Sequence, residues 1–333
     1  MSYEAVGLGN AIMDALVRID DDALLSELGL TRGTMHPVDH ARWHEVYERV
    51  AHLGVEVHSG GSCANTMCTM ALLGAPVLYR GQLGEDRFGE MYESAMTQVC
   101  GGHSLVRSPG LPTGKCLSLI SSRDGERTML TDLGAAVHLS DLDGFDDRIR
   151  GARVLHLTGY LFLGGAMRDT AYRAVRIATE AGVPISLDVA DPFVARTITA
   201  DVRTLIQEHA SIAFLNREEA EAVTEREPEA AAEVLGEWCR TAIVKLGGRG
   251  SYVRSGGVTH HVPVFPVTVA DTTGAGDAYA GGFLYGWLRG WAADRCGELG
   301  SRVAALTVSQ VGAVSRDRAA VLAARDLADP DLG

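Results

Sequence analysis

Asp271-Thr272-Thr273-Gly274-Ala275-Gly276-Asp277-Ala278-Tyr279-Ala280-Gly281-Gly282-Phe283 is the stretch on which the reading of this chain turns. It follows a strand-like run, 258–269, and opens a helical pattern that continues to about residue 290. The small residues at 274–276 let the backbone turn tightly, so that several N–H groups point at one spot. The start of the helix adds partial positive charge there, which makes an anion site without any basic side chain. Asp277 falls in the first helical turn beside that site. A carboxylate there can take a proton from a hydroxyl that attacks a phosphoryl group. By shape alone the same string also fits a glycine-rich turn closed by a capping aspartate.

Outward from this string, short apolar runs alternate with amphipathic segments. Strands are expected at 4–9, 76–83, 153–158, 184–189, 211–215 and 242–246. Helices are expected at 63–73, 86–99, 167–181, 201–209, 217–238, 275–290 and 295–311. Such alternation is what right-handed β-α-β units and a largely parallel sheet produce. Two stretches break the rhythm. Residues 115–122 and 126–133 flank Asp124-Gly125, which predicts a hairpin with a type I′ turn. A second strand-rich excursion lies at 14–19 and 33–38. Antiparallel strands inserted in a β-α-β chain imply a small sheet standing off the main domain, an attachment that often serves as a lid.

The chain has 333 residues, with 43 acidic and 30 basic side chains, a net charge of −13. An acidic chain with no basic block is not built for nucleic acid or an anionic membrane surface. Hydrophobic residues make up 46% and charged residues 22%, so wholesale disorder is excluded. Of the 30 basic residues only Lys115 and Lys245 are lysine. Six cysteines with no C-x-x-C pair, together with a start lacking a signal pattern, lead us to expect free thiols in a cytoplasmic protein.

The thirteen-residue string resembles the C-terminal signature of the ribokinase (PfkB-type) carbohydrate kinases. Gly60-Gly61-Ser62-Cys63-Ala64-Asn65-Thr66, followed by Gly81-Gln82-Leu83-Gly84-Glu85-Asp86-Arg87-Phe88-Gly89, resembles the N-terminal signature of that family. Asn216-Arg217-Glu218-Glu219 matches its N-x-x-E motif, and Lys245-Leu246-Gly247-Gly248-Arg249-Gly250 its nucleotide-side strand and turn. The motifs run in family order across nearly the whole chain. Within the family, Gly9-Asn10-Ala11-Ile12-Met13-Asp14, Pro112-Thr113-Gly114-Lys115-Cys116, Asp132-Leu133-Gly134-Ala135-Ala136 and Asp191-Pro192-Phe193 are most similar to adenosine kinases. Two positions depart from them. Leu161 stands where those enzymes often place an aromatic that stacks on the base, and Asp188 replaces an Asn, which favours a more polar, sugar-like acceptor.

The resemblance implies a ribokinase-like three-layer α/β/α core with a small β-sheet lid. Residues 1–13, 39–111 and 134–333 would form the large domain, and 14–38 and 112–133 the lid. It also implies ATP-dependent phosphorylation of a primary hydroxyl on a nucleoside, adenosine first, or alternatively on a sugar such as ribose or fructose. Asp277 would be the general base, and the amides of Gly274, Ala275 and Gly276 would stabilise the moving phosphoryl group. Asp14 would accept hydrogen bonds from two sugar hydroxyls, with Asn10, Gly60, Gly61, Asn65, Leu133 and Phe193 completing the acceptor site and Arg127 reaching the phosphate. Asn216, Lys245, Gly247 and Gly250 would hold the nucleotide, and Glu219 would organise Mg²⁺ through water. Asp271 and Thr273 match positions that bind a monovalent cation such as K⁺. The partner would be a small molecule, and the chain a monomer or a homodimer paired through its lid.

Three other patterns point elsewhere and fail. Gly114-Lys115 lacks the earlier glycine of a P-loop, since Pro109 stands there, and Cys116 replaces its Ser/Thr. Gly7-Leu8-Gly9 misses the third glycine of a dinucleotide fingerprint at Ile12. His36, His40 and His44 are four apart, but Pro37 interrupts the first turn and no acidic partner is evident. A non-catalytic nucleotide-binding module is the rival outside the enzyme class, and the intact Gly274–Asp277 string argues against it.

Overall fold

The computed structural model describes residues 3–329. Its strands, in chain order, are β1 (Ala5–Leu8), β2 (Ile12–Ile19), β3 (Met35–Pro37), β4 (Glu56–Gly60), β5 (Val77–Arg80), β6 (Gln82–Gly84), β7 (Val106–Ser108) and β8 (Gly114–Ser121). They continue as β9 (Arg127–Asp132), β10 (Val154–Thr158), β11 (Ile185–Asp188), β12 (Ala210–Asn216), β13 (Thr241–Lys245), β14 (Ser251–Ser255) and β15 (Val258–Val262).

Eight strands form the larger sheet in the order β15-β14-β13-β12-β11-β10-β1-β5. From β5 to β13 all pairings are parallel, and β14 and β15 close the edge as an antiparallel hairpin. Both faces are buried, so the strands read as continuous apolar runs whose residues alternate between two cores. On β12, Ala213 and Leu215 enter the core shared with the helices Gly165–Ala181 and Thr199–Glu208. Ile212 and Phe214 enter the opposite core, against Ser62–Leu72, Ala275–Leu288 and Ala293–Val308. This is a three-layer α/β/α arrangement.

The smaller sheet has the order β3-β9-β8-β2-β4. One face packs on Ala23–Glu27 and His40–Val50, burying Val17, Ile19, Trp43, Val46, Leu117 and Leu119. The sequence division at 14–38 and 112–133 therefore leaves out two parts of this unit, β4 and the helix His40–Val50. β4 (Glu-Val-His-Ser-Gly) gives a weak signal because it is short, polar and half-exposed, whereas the helix carries a clear apolar stripe, Trp43, Val46, Tyr47 and Val50, that the division overlooks. The other expected elements differ from the observed ones for local reasons. The 76–83 run divides at Gly81 between two sheets, and 217–238 is two helices, broken where Glu225 turns left-handed before Pro228. The strand expected at 258–269 stops at Val262, and residues 263–270 form no ladder.

The hairpin is present, but its turn is not type I′. Gly125 has φ +74° while Asp124 is not left-handed, and the Ser121 N–H bonds the Glu126 carbonyl at 2.9 Å. That closes a four-residue loop, 122–125, and sets the register Lys115 opposite Asp132 and Ile120 opposite Arg127. The histidines do not converge: His40 and His44 stack at 6.3 Å, while the His36 ring accepts from the Thr31 N–H. Among the described residues no group of three His, Cys, Asp or Glu could hold a metal ion. No helix among them is long and apolar enough to cross a membrane.

Lys115, the false P-loop lysine, is only 2% exposed at the root of the smaller sheet. Its ammonium pairs with Asp132 across the β8–β9 ladder and lies 5.1 Å from the centre of the Trp43 ring. Removing one member of such a pair leaves a buried charge without its partner. Asp132→Ala should therefore cost about 3–5 kcal/mol in urea unfolding, and Lys115→Met together with Asp132→Asn should recover most of it. A loss under about 1 kcal/mol for the single variant would show that the pair is solvated.

Candidate active site

Two buried helices begin beside the carboxyl ends of the larger sheet and cross there. Ser62–Leu72 starts after Gly61, and Ala275–Leu288 starts after Gly274. Gly281 permits the approach, since a Cβ on it would stand 2.7 Å from the Thr69 Cβ. Gly274 has φ +72°, and a Cβ there would lie 2.2 Å from the Ala313 carbonyl oxygen, so the turn that opens the second helix admits only glycine.

Asp277 sits where the two helices meet. Its Oδ1 accepts from the Ser62 hydroxyl at 2.7 Å and its Oδ2 from the Asn65 amide at 2.8 Å. Burial pushes its carboxyl up to about 6; the two donors and Lys245 oppose this, and Asp188 adds to it. Asn65, expected among the acceptor contacts, thus orients the proposed base. Ser62 was not singled out from sequence, although its place three residues before Asn65 puts both on one helical face. Of the turn amides, that of Ala275 bonds the Thr272 carbonyl at 3.3 Å.

On one side of Asp277 lie residues of the smaller sheet. Asp14 is carried by β2, with Gly60 of β4 nearby: a Cβ on Gly60 would fall 2.0 Å from an Asp14 carboxylate oxygen, so a side chain there would displace that carboxylate. Among the described residues no protein group donates a hydrogen bond to Asp14. Desolvation raises its carboxyl to about 7; the Arg127 guanidinium opposes the rise, and Asp277 and Asp271 add to it. Asn10 Oδ1 is out of solvent and likewise without a partner. Arg127, at the start of β9, donates to the Thr273 hydroxyl and stands 3.9 Å from Asp271. Asp271 also accepts from the Thr273 N–H and hydroxyl and from the Gly312 N–H. Its charge is therefore already matched by donors and a guanidinium. Leu133 and Phe193 are 40% and 54% exposed. Leu161 is fully buried in the core and offers no face to a ligand.

On the other side, Asn216 caps the helix Arg217–Thr224 through a capping box: its side chain accepts from the Glu219 N–H, and Glu219 accepts from the Asn216 N–H at 2.8 Å. Glu219 is 1% exposed, and burial next to Asp188 and Asp191 raises its carboxyl to about 8 against the pull of Lys245. Lys245, at the end of β13, is not a solvent-facing strand end. It bonds Asp188 at 2.8 Å, so Asp188 faces a lysine and not an acceptor. Nearby, Tyr160 donates to Asp191 at 2.8 Å. An open depression of ≈ 360 Å³ is lined by Asn216, Glu218, Lys245, Leu246, Gly247 and Arg249. Gly250 takes a different part: its Cβ position lies 2.0 Å from the Val262 carbonyl, at the root of the edge hairpin.

Comparison with known proteins gives the family and the fold. Residues 37–319 match the pfkB family of carbohydrate kinases. The chain superposes on the adenosine kinase of Sinorhizobium meliloti with a TM-score of 0.88 at 32% identity, covering 98% of this chain and 100% of that one. It is 30% identical to an adenosine kinase of Saccharomyces cerevisiae, over 76% of this chain and 78% of the relative. It is also 30% identical to the "uncharacterized sugar kinase" of Archaeoglobus fulgidus, over 73% of this chain and 96% of the relative.

The Asp277 carboxyl, at about 6 in the folded protein against 3.8 in the ordinary range, weakens the fold when it ionises. A raised carboxyl contributes stability that is complete below its unfolded pKa and is lost as pH rises through the folded one. Asp277→Asn should therefore raise the unfolding temperature of the ligand-free protein at pH 8, by about 1–3 kcal/mol of stability, and leave it unchanged near pH 3.5. Calorimetry at the two pH values checks this; a lower Tm at pH 8 would contradict it.

Proposed function

The chain belongs to the pfkB family of carbohydrate kinases, and on that premise we propose that it transfers the terminal phosphoryl group of ATP to the primary hydroxyl of a nucleoside. Adenosine is the first acceptor, giving AMP and ADP. The observation that carries the reading is the position of Asp277, pinned by Ser62 and Asn65 with the Asp14 and Asn10 cradle on one side and the Lys245 depression on the other. For a nucleoside in particular, two things speak: similarity to the S. meliloti adenosine kinase over nearly the whole chain, and the exposed apolar side chains Leu133 and Phe193, which suit a base. The sugar reading is favoured by the similarity to the A. fulgidus protein.

In this reading, Asp14 accepts hydrogen bonds from ring hydroxyls, a bidentate task for a carboxylate, and the unpaired Asn10 Oδ1 accepts another. Asp277 takes the proton of the primary hydroxyl as its oxygen attacks the terminal phosphorus. The bond to the bridging oxygen breaks, ADP leaves, and Asp277 later returns the proton to solvent. The Gly274 and Gly276 amides and the Lys245 ammonium lie where charge grows on the moving group. Arg127, on the hairpin, completes the wall, and the smaller sheet above it excludes water.

Glu219 is buried beside Asp188 and Asp191; burial and these two carboxylates raise its carboxyl, and a divalent cation near it would relieve that crowding. Mg²⁺ held near Glu219 through water, with Asn216 beside it, would neutralise phosphate charge. At Asp271 and Thr273 the donors already present match the carboxylate, so these residues do not call for K⁺ and no step is derived through it. The helices covering the outer face of the smaller sheet favour a monomer over pairing through that face.

A screen of ATP consumption across nucleosides and sugars tests the acceptor. Turnover with adenosine well above that with ribose or fructose is expected; the reverse order selects the sugar reading, and no turnover with any acceptor removes both. Asp277→Asn should lower kcat by roughly 10²–10⁴ while ATP affinity stays within about threefold, read by calorimetry. Since both Asp277 and Asp14 must ionise, kcat/KM should fall below pH 7 and steepen to roughly a hundredfold per unit below pH 6. A profile flat down to pH 5 would exclude Asp277 as the base.

A further inference from the structure

Lys245 leaves the end of β13 and reaches sideways across β12, passing 6.0 Å from the centre of the Phe214 ring, to bond Asp188 on β11 at 2.8 Å. Its Nζ also lies 3.0 Å from where a Cβ on Gly276 would stand, so the ammonium is held between the sheet and the first turn of the helix that carries Asp277. Asp188 is 1% exposed, and its other oxygen accepts from the Ala190 N–H at 3.0 Å. Ala190 adopts φ +71°, a conformation a non-glycine residue seldom takes and one that this bond helps to hold. The second acid near the lysine, Glu219, has both oxygens engaged by Asn216. Asp188 is thus the carboxylate that fixes where the ammonium sits.

We propose that Asp188 is a positioning residue that holds the Lys245 ammonium against Gly276, so that the phosphate-binding turn carries a fixed cation. The proposal rests on the kinase reading above. A lysine has a long stem with much rotamer freedom, and left alone it would lose its order before it could act on a phosphate. The site is otherwise acidic, with Asp188, Asp191, Glu219 and Asp277 close together, and a mobile ammonium would be distributed among them. A buried carboxylate at hydrogen-bond distance selects one position and prepares it before the nucleotide arrives. The arrangement also suits glycine at 276, since a Cβ there would press on the ammonium at 3.0 Å.

The test compares wild type, Asp188→Asn, Lys245→Met and the double variant by steady-state kinetics, ATP calorimetry and thermal unfolding. Asp188→Asn keeps the shape and the bond from Ala190. It should lower kcat about 10–100-fold and weaken ATP about tenfold, leaving the acceptor KM within about threefold; the unfolding temperature should fall as well, because the buried ammonium loses its charge partner. Lys245→Met should lose at least as much, and the double variant no more than Lys245→Met alone, because Asp188 acts through the lysine. Independent, multiplying effects, or wild-type kcat and ATP affinity in Asp188→Asn, overturn the proposal. If Asp188→Asn fails to fold, Asp188→Glu decides: the charge is kept but the longer stem moves the carboxylate, so a loss of kcat and ATP affinity supports the proposal and wild-type behaviour overturns it. If wild type turns over no acceptor, the kinase reading falls, and the ATP affinities alone still decide whether Asp188 fixes the lysine.

Discussion

Asp277 is held by two uncharged donors, the Ser62 hydroxyl and the Asn65 amide, and the rest of the site takes its form from that arrangement. A direct ion pair to arginine or lysine would orient the carboxylate as well but would drive its pKa down and leave a weak base. Neutral donors orient both oxygens while burial keeps the group basic. The cost is geometric. Both donors lie in the first turn of one helix and the acid in the first turn of another, so the bonds exist only if the two helices cross closely at their starts. Gly281 against Thr69 allows that crossing, and Gly274 against Ala313 aims the second helix.

The same logic governs the charge of the whole molecule. A chain at −13 repels a polyanion at long range, and its two lysines are not laid out as an attractive surface. Both are buried against aspartates, Lys115 at the root of the smaller sheet and Lys245 at the phosphate side. Attraction is local and preformed. Asp14, Glu219 and Asp277 all have carboxyls raised by burial and by neighbouring carboxylates, which means the ligand-free site is electrostatically incomplete. Hydroxyl donors at Asp14 and a cation near Glu219 would relieve it, so binding energy is drawn from strain that folding has already stored.

What could be read from sequence follows from the range of the interactions. The six strands expected in the larger sheet, the hairpin and the helix that opens at Gly274 all announce themselves within a dozen residues, by periodicity and turn chemistry. β4, β14 and the end of β15 did not, because short polar or edge strands are defined by their partners. In the site, Asp277 was legible as a helix-start acid, whereas its bonds join residues more than 200 positions apart. Asp188 was read toward the acceptor because nothing local to it reveals that Lys245, two strands away, faces it. Arg127 could be placed near the phosphate only through the resemblance, for the same reason: its partner Thr273 lies 146 positions on.

Arg127 also shows why the form of the hairpin loop matters to the chemistry. On β9, Thr128 and Leu130 point into the core under the covering helices, while Arg127, Met129 and Thr131 take the opposite face, the one shared with Asp14 of β2 and Cys116 of β8. A strand alternates faces at every residue, so a slip of one position would send Arg127 toward Trp43 and Leu130 toward the site. The four-residue loop, closed by Ser121 and Glu126 and made possible by left-handed Gly125, prevents that slip. A two-residue type I′ turn at Asp124-Gly125 would pair Arg123 with Glu126, in place of Ser121 with Glu126, and shift the partner of every later residue by two. Faces would be preserved, but Lys115 would no longer stand opposite Asp132. The loop length thus settles two things at once: the ion pair that anchors the smaller sheet, and the reach of Arg127 to Thr273.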